Sequence, residues 1–180
     1  VNTIPPIIKE KIDVELGKNN TVQIKCPTGT LKISHPASDY KNLQILVKQD
    51  GKILTLTNLN ALQTERFLIG NYDVEILTLP RIYKTVTIKQ SQVTELNIPA
   101  PGTLNIGKKI KGFGSIYSIN KDGTQQWITN FPHNHSQLNL PMQPGNYRLV
   151  FMAEGALHSE ATQTLDFKIN AGLTTNLNLY

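Results

Sequence analysis

The sequence predicts an all-β chain folded as two tandem sandwich modules. Three observations predict it: apolar and polar residues alternate in short runs, Asp-Gly pairs punctuate those runs, and the same markers occur twice in the same order. Alternation with period two sends successive side chains to opposite faces of a strand. Leu43, Ile45 and Val47 therefore form one buried face, which Ile53 resumes after Gln49-Asp50-Gly51-Lys52. Asp-Gly between two such runs favours a tight hairpin turn. Its counterpart is Ile116-Tyr117-Ser118-Ile119 ahead of Lys121-Asp122-Gly123-Thr124. No stretch keeps helical spacing over two turns.

The duplication gives the domain organisation. Gly70-Asn71-Tyr72 recurs as Gly145-Asn146-Tyr147, and Tyr147 minus Tyr72 is an offset of 75. Gly29-Thr30-Leu31 recurs as Gly102-Thr103-Leu104 at 73, Asp50-Gly51 as Asp122-Gly123 at 72, and Val86 to Ile98 as Phe167 to Leu179 at 81. Offsets that drift only through loop insertions mark a repeat. The start of the chain matches the end of a repeat: Thr3-Ile4-Pro5 resembles Thr78-Leu79-Pro80, Ile12 and Val14 match Val86 and Ile88, and Val22 to Ile24 match Leu96 to Ile98. The expected division is residues 1–25 as closing strands left from an upstream repeat or as a linker, 26–99 as the first module and 100–180 as the second. The chain is thus expected to be a piece of a longer protein, with a boundary at Pro99 to Pro101 because proline breaks strand pairing.

Strands are expected near 21–25, 30–34, 65–69, 72–77 and 83–89, then near 103–106, 125–129, 137–140, 146–153, 163–169 and 174–179. About seven short strands per ~75 residues fits an immunoglobulin-like or transthyretin-like (prealbumin-like) sandwich. Gly70 and Gly145 stand just before a strand, where glycine alone freely takes a left-handed conformation. Tyr72 and Tyr147 follow two residues later, placed to bury the ring and bond the hydroxyl back to main chain, as in the tyrosine corners of sandwiches. All four residues are assigned to structure.

Composition narrows the function classes. The hydrophobic fraction is 39% and the charged fraction 17%, which fits a packed core rather than a disordered tail. The net charge of +5 is spread along the chain, with 12 basic and 9 acidic residues up to Pro99 and 6 and 4 after it. The one tight cluster, Lys108, Lys109 and Lys111, is expected to be a solvated loop, and no nucleic-acid partner is implied. Cys26 stands alone, which excludes an intramolecular disulfide and a multi-cysteine zinc site; it is expected at a strand end as an inert thiol. No apolar run is long enough to cross a membrane as a helix.

Chemistry-bearing patterns are few. His133 and His135 could share a cation on one side of an extended segment, but the nearest further candidates, Asp122 and His158, have no diagnostic spacing, so a polar loop without metal is expected. His35 precedes a proline and has no assigned role. Nothing resembles a nucleophile elbow, a phosphate loop or a calcium loop, and the histidines are not shared between repeats, so no enzyme activity and no cofactor are expected. Asp73 and Glu75 alternate with Val74 and Ile76 and are expected on the wet face of a strand. Trp127, Phe131, Tyr117 and Phe113 are the one aromatic set that could stack on a sugar; the repeat counterpart of Trp127 is Thr55, and a core or edge-packing role for Trp127 is the competing expectation.

The stretch Leu138-Asn139-Leu140-Pro141-Met142-Gln143-Pro144-Gly145-Asn146-Tyr147-Arg148-Leu149-Val150-Phe151 with the closing strands to Tyr180, and likewise Tyr72 to Arg81, resembles the C-terminal repeats of bacterial von Willebrand factor A domain-containing proteins. The resemblance implies an upstream von Willebrand factor A domain and a cell-envelope location, periplasmic or extracellular. It supplies no catalytic residue. The expected function is a non-enzymatic interaction or spacer module that positions that domain and contacts a protein partner or cell-surface component. The alternative is a carbohydrate-binding module using Trp127, Phe131 and Tyr117.

Overall fold

A computed structural model describes residues 3–7, 11–34, 43–52, 55–60, 63–155 and 162–180. Ile53, His35 and His158 lie outside the described residues. All regular structure among the described residues is β. In chain order the strands are β1 Thr28–Ser34, β2 Gln44–Gln49, β3 Thr55–Asn60, β4 Thr64–Leu68, β5 Gly70–Ile76, β6 Ile82–Ile88, β7 Val93–Asn97, β8 Gly102–Lys108, β9 Gly112–Ile119, β10 Gln125–Phe131, β11 Gln137–Met142, β12 Gly145–Ala153, β13 Thr162–Ile169 and β14 Thr174–Leu179.

The chain divides into two units. The first holds β1 to β7 without the connection Leu77–Ile82, which groups with the second; the second otherwise runs Ile98–Tyr180. Each unit is a sandwich of a three-stranded and a four-stranded sheet, ordered β4-β1-β7 with β3-β2-β5-β6 in one and β11-β8-β14 with β10-β9-β12-β13 in the other. Seven positions later in strand number, the order is identical. Lettering each unit A to G gives D-A-G and C-B-E-F, which departs from the A-B-E-D and C-F-G order of immunoglobulin constant domains and is the transthyretin-like member of the predicted class. The first strand of each unit pairs antiparallel with the fourth and parallel with the seventh.

The repeated markers acquire physical reasons. A Cβ on Gly29 would come within 2.2 Å of the Lys89 carbonyl oxygen, and one on Gly102 within 2.3 Å of the Asn170 carbonyl oxygen, so in both units the turn between the last two strands is laid directly on the backbone of the first strand. Only glycine admits that approach. In the second unit the core is Leu104, Ile106, Ile116, Phe131, Met142, Tyr147, Leu149, Phe151, Ile169 and Leu179, against which Leu79 packs. Tyr72 and Tyr147 are buried, with hydroxyls donating to the Leu68 and Gln143 carbonyls at 2.9 and 2.6 Å. Gly70 has a φ of +151°, but no positive φ occurs at Gly145, so the left-handed expectation fails there. Space at Gly145 is tight instead: a Cβ would stand 3.2 Å from the Tyr147 hydroxyl.

The expected strand at 21–25 is not formed. Residues 11–25 carry no strand, and among the described residues of the expected closing strands the sheet pairing reduces to one parallel bridge, Ile4 to Phe67. Residues 12–24 have apolar side chains but no sheet edge within their own segment on which to pair.

Candidate functional site

The outward face of β10-β9-β12-β13 carries the surface best suited to contact. Residues directly opposite one another in an antiparallel pair share a face, so the register defines rows across the sheet. One row runs Trp127, Tyr117, Arg148, Asp166; the next runs Asn130, Ser115, Val150, Thr164; a third runs Phe113, Met152, Thr162. Trp127 is 56% exposed and Phe113 57%, and Met152 is also exposed. Their inward neighbours Ile116, Leu149 and Phe151 fill the core beneath.

Polar groups fix this apolar surface in place. The Trp127 indole N–H and the Ser115 hydroxyl both donate to the Asn130 side-chain oxygen, at 3.0 and 2.7 Å. The Arg148 guanidinium makes a bidentate pair with Asp166 at 2.6 and 2.7 Å, raising its own pKa and lowering that of the carboxylate, chiefly through the side-chain hydrogen bonds. A groove of about 290 Å³ lies among Phe113, Ser115, Asn130, Val150 and Met152, floored by Gly114 and Phe131. Aromatic faces beside amide and hydroxyl groups can stack on a side chain or a sugar ring and orient it by hydrogen bonds.

Phe131 lies beneath this surface rather than on it. Simple alternation from Trp127 would put Phe131 on the same face, but the register shifts between Trp127 and Thr129, inserting Ile128 as a bulge. One extra residue reverses the faces beyond it. Asn130 therefore points outward, and Phe131, 5% exposed, folds over Gly114 and stacks near Phe151 at 6.1 Å. Trp127 is not a core residue; it stands on the edge strand β10 with its ring half in solvent.

The equivalent face of the first unit is more polar, although it carries Tyr83, 68% exposed. Its matching row is Thr55, Lys48, Asp73, Thr85, and the next is Asn58, Leu46, Glu75, Tyr83. Glu75 faces outward but is buried, with Lys48 Nζ at 3.1 Å, so the wet-face expectation holds in direction and fails in exposure. Lys108 likewise departs from the solvated-loop expectation. It is buried at the end of β8, donates to the Pro132 and His133 carbonyls at 2.8 and 3.1 Å, and lies over the Phe131 ring at 5.3 Å; burial pushes its pKa down.

The loop after β10 holds His133, whose ring lies 4.8 Å from that of Phe113 and whose Nε2 lies 3.2 Å from Glu154 Oε1. Among the described residues no group of three or more His, Cys, Asp or Glu is placed to hold a metal ion. Cys26 is half-buried just before β1. No helix among the described residues is long and apolar enough to cross a membrane.

No protein-family model matches the chain, and no curated protein matches it in sequence. Among solved structures it is similar to the TIE protein of Bacillus anthracis, with 17% identity over 85% of this chain and 33% of that one and a TM-score of 0.35. It is similar also to GBS52, the minor pilin of Streptococcus agalactiae, with 13% identity over 84% of this chain and 94% of that one and a TM-score of 0.36. A third is the pilus adhesin RrgA of Streptococcus pneumoniae, with 12% identity over 73% and 26% and a TM-score of 0.28. The chain thus spans about a third of the length of the Bacillus anthracis protein.

Trp127, Tyr117 and Phe113 stand out in the sequence as the aromatic set, whereas Asn130, Arg148 and Met152 do not. The signal for Arg148 and Met152 was available: Arg148, Val150 and Met152 alternate with Tyr147, Leu149 and Phe151, so burial of Tyr147 turns the other three outward.

Proposed function

We propose that the chain is a non-enzymatic interaction and spacer module of a bacterial cell-envelope protein, and that the outward face of β10-β9-β12-β13 is its contact surface for a protein partner. The observation that carries this reading is the contrast between two equivalent faces. On one sandwich plan, Thr55, Lys48 and Asp73 in the first unit are replaced by Trp127, Tyr117 and Arg148 in the second. Large aromatic side chains on an exposed sheet face contribute nothing to the core, while tryptophan, tyrosine and arginine are the residues that dominate binding energy at interfaces. On the resemblance to von Willebrand factor A domain-containing proteins, the two sandwiches would position such a domain upstream at the periplasmic or extracellular face of the envelope.

The second reading is a saccharide partner, favoured by the adjacency of Trp127 and Tyr117 beside the Asn130 and Ser115 polar groups. Probing a glycan array and an array of envelope proteins with the chain and its Trp127→Ala variant separates the two. Binding to envelope protein that the variant loses supports the first reading; saccharide binding that the variant loses replaces it with the second. Identical signals from parent and variant on both arrays remove this face from the function.

A further inference from the structure

The turn at 15–18 has the geometry of the turn that joins the last two strands of each sandwich, although residues 11–25 themselves form no strand. In the two complete units the turn joining these strands is built the same way. Gln92 N donates to the Lys89 carbonyl at 3.3 Å and Leu173 N to the Asn170 carbonyl at 3.2 Å, with positive φ at the third turn residue, +55° at Ser91 and +70° at Gly172. Lys18 N donates to the Glu15 carbonyl at 3.4 Å, with φ of +77° at Gly17. The offsets agree, since 89, 91 and 92 less 15, 17 and 18 each give 74. A turn with left-handed geometry at its third residue is a specific feature, and glycine occupies that position in two of the three cases.

The flanking residues complete the match. At the same offset of 74, Ile12, Val14, Val22 and Ile24 correspond to Val86, Ile88, Leu96 and Ile98. The latter four are 8%, 2%, 7% and 1% exposed; the former are 49%, 70%, 38% and 49% exposed. Ahead of the turn, Thr3 and Thr78 are both buried and both donate from Oγ1 to the carbonyl of the proline two residues on, at 3.0 and 2.6 Å. The intervening carbonyls, of Ile4 and Leu79, accept from the N–H two residues before each Gly-Asn-Tyr, Leu68 at 2.9 Å and Gln143 at 2.7 Å.

We propose that residues 3–7 supply the turn, and 11–25 the segment that becomes the sixth and seventh strands, of a further sandwich of this same fold, and that the apolar side chains of 12–24 are the docking surface for its first five strands. The partner is defined by what covers Val86, Ile88, Leu96 and Ile98: a five-stranded remainder whose first strand begins with a glycine against the turn at 15–18, as Gly29 and Gly102 do against 89–92 and 170–173. Thr3 to Pro5 then hold Leu68, just ahead of β5 in the first unit, as Thr78 to Pro80 hold Gln143 just ahead of β12. This inference is independent of what the aromatic face binds.

The test supplies the missing strands. Residues 26–77 are fused directly ahead of Thr3 in the full chain, and amide exchange is followed at 12–16 and 21–25 in the fusion and in the 180-residue chain. The proposal expects exchange at these amides to slow by about 100-fold or more in the fusion. A companion fusion with 83–98 in place of 9–24 reports whether the grafted strands close at all. Fast exchange at 12–16 and 21–25 beside a protected companion overturns the proposal. So does failure of the companion to close, because the grafted strands would then be shown not to accept closing strands delivered from a Thr-x-Pro turn.

Discussion

Tyr147 shows how one side chain serves the fold in two ways. Its ring lies in the second core, 5.6 Å from that of Phe167, while its hydroxyl relieves the Gln143 carbonyl at 2.6 Å. Tyr147→Phe should cost about 1–3 kcal/mol, the price of leaving a buried acceptor without that donor, and Tyr147→Ala about 3–5 kcal/mol. Urea unfolding of the second unit checks both. Lys108 gives a pH dependence. Burial holds its folded pKa below the ordinary 10.5, so between the two values the unfolded chain binds more protons and stability rises with pH. The unfolding midpoint of the second unit should therefore climb as pH rises through the alkaline range just below the ordinary lysine value, and Lys108→Met should flatten that climb. Gly-Asn-Tyr was legible in the sequence because it occurs twice ahead of alternating strands. Burial of Lys108 and Glu75 was not, because it depends on Phe131, Phe151 and Lys48, which other strands bring in.

At the scale of elements, strand identity followed from period two and Asp-Gly turns, and sheet order did not. Alternation states which side chains share a face; it carries nothing about which strand lies beside which. The bulge at Ile128 is the instructive miss, since no turn residue or glycine marks it in Gln125–Phe131, yet it decides that Phe131 packs inside and Asn130 outside. Gly114 is the other half of that arrangement. A Cβ there would stand 1.6 Å from the Phe131 ring, so Gly114→Ala must push the ring out of its seat. The expected loss is about 1–3 kcal/mol, with a lowered melting midpoint for the second unit and none for the first. The segment 3–7 is similarly specific to its unit. Deleting residues 1–7 removes the acceptor of Leu68 N and should destabilise the first unit by about 1–2 kcal/mol, seen as faster amide exchange in β4 and β5.

At the scale of the whole molecule, two sandwiches share one strand order and one set of buried markers while differing on the outward face of the four-stranded sheet. Core requirements explain the shared residues; they do not explain Trp127, Tyr117 and Phe113. On the proposed function, this aromatic face is a contact surface that the fold does not need. That reading is tested most directly by measuring, on one sample of a Trp127→Ala, Tyr117→Ala double variant, both the urea midpoint of the second unit and binding to envelope components. A contact role predicts a midpoint within about 0.5–1 kcal/mol of the parent, as for positions outside the core, together with loss of binding. A variant that binds as the parent does, or one whose second unit no longer folds, would contradict it.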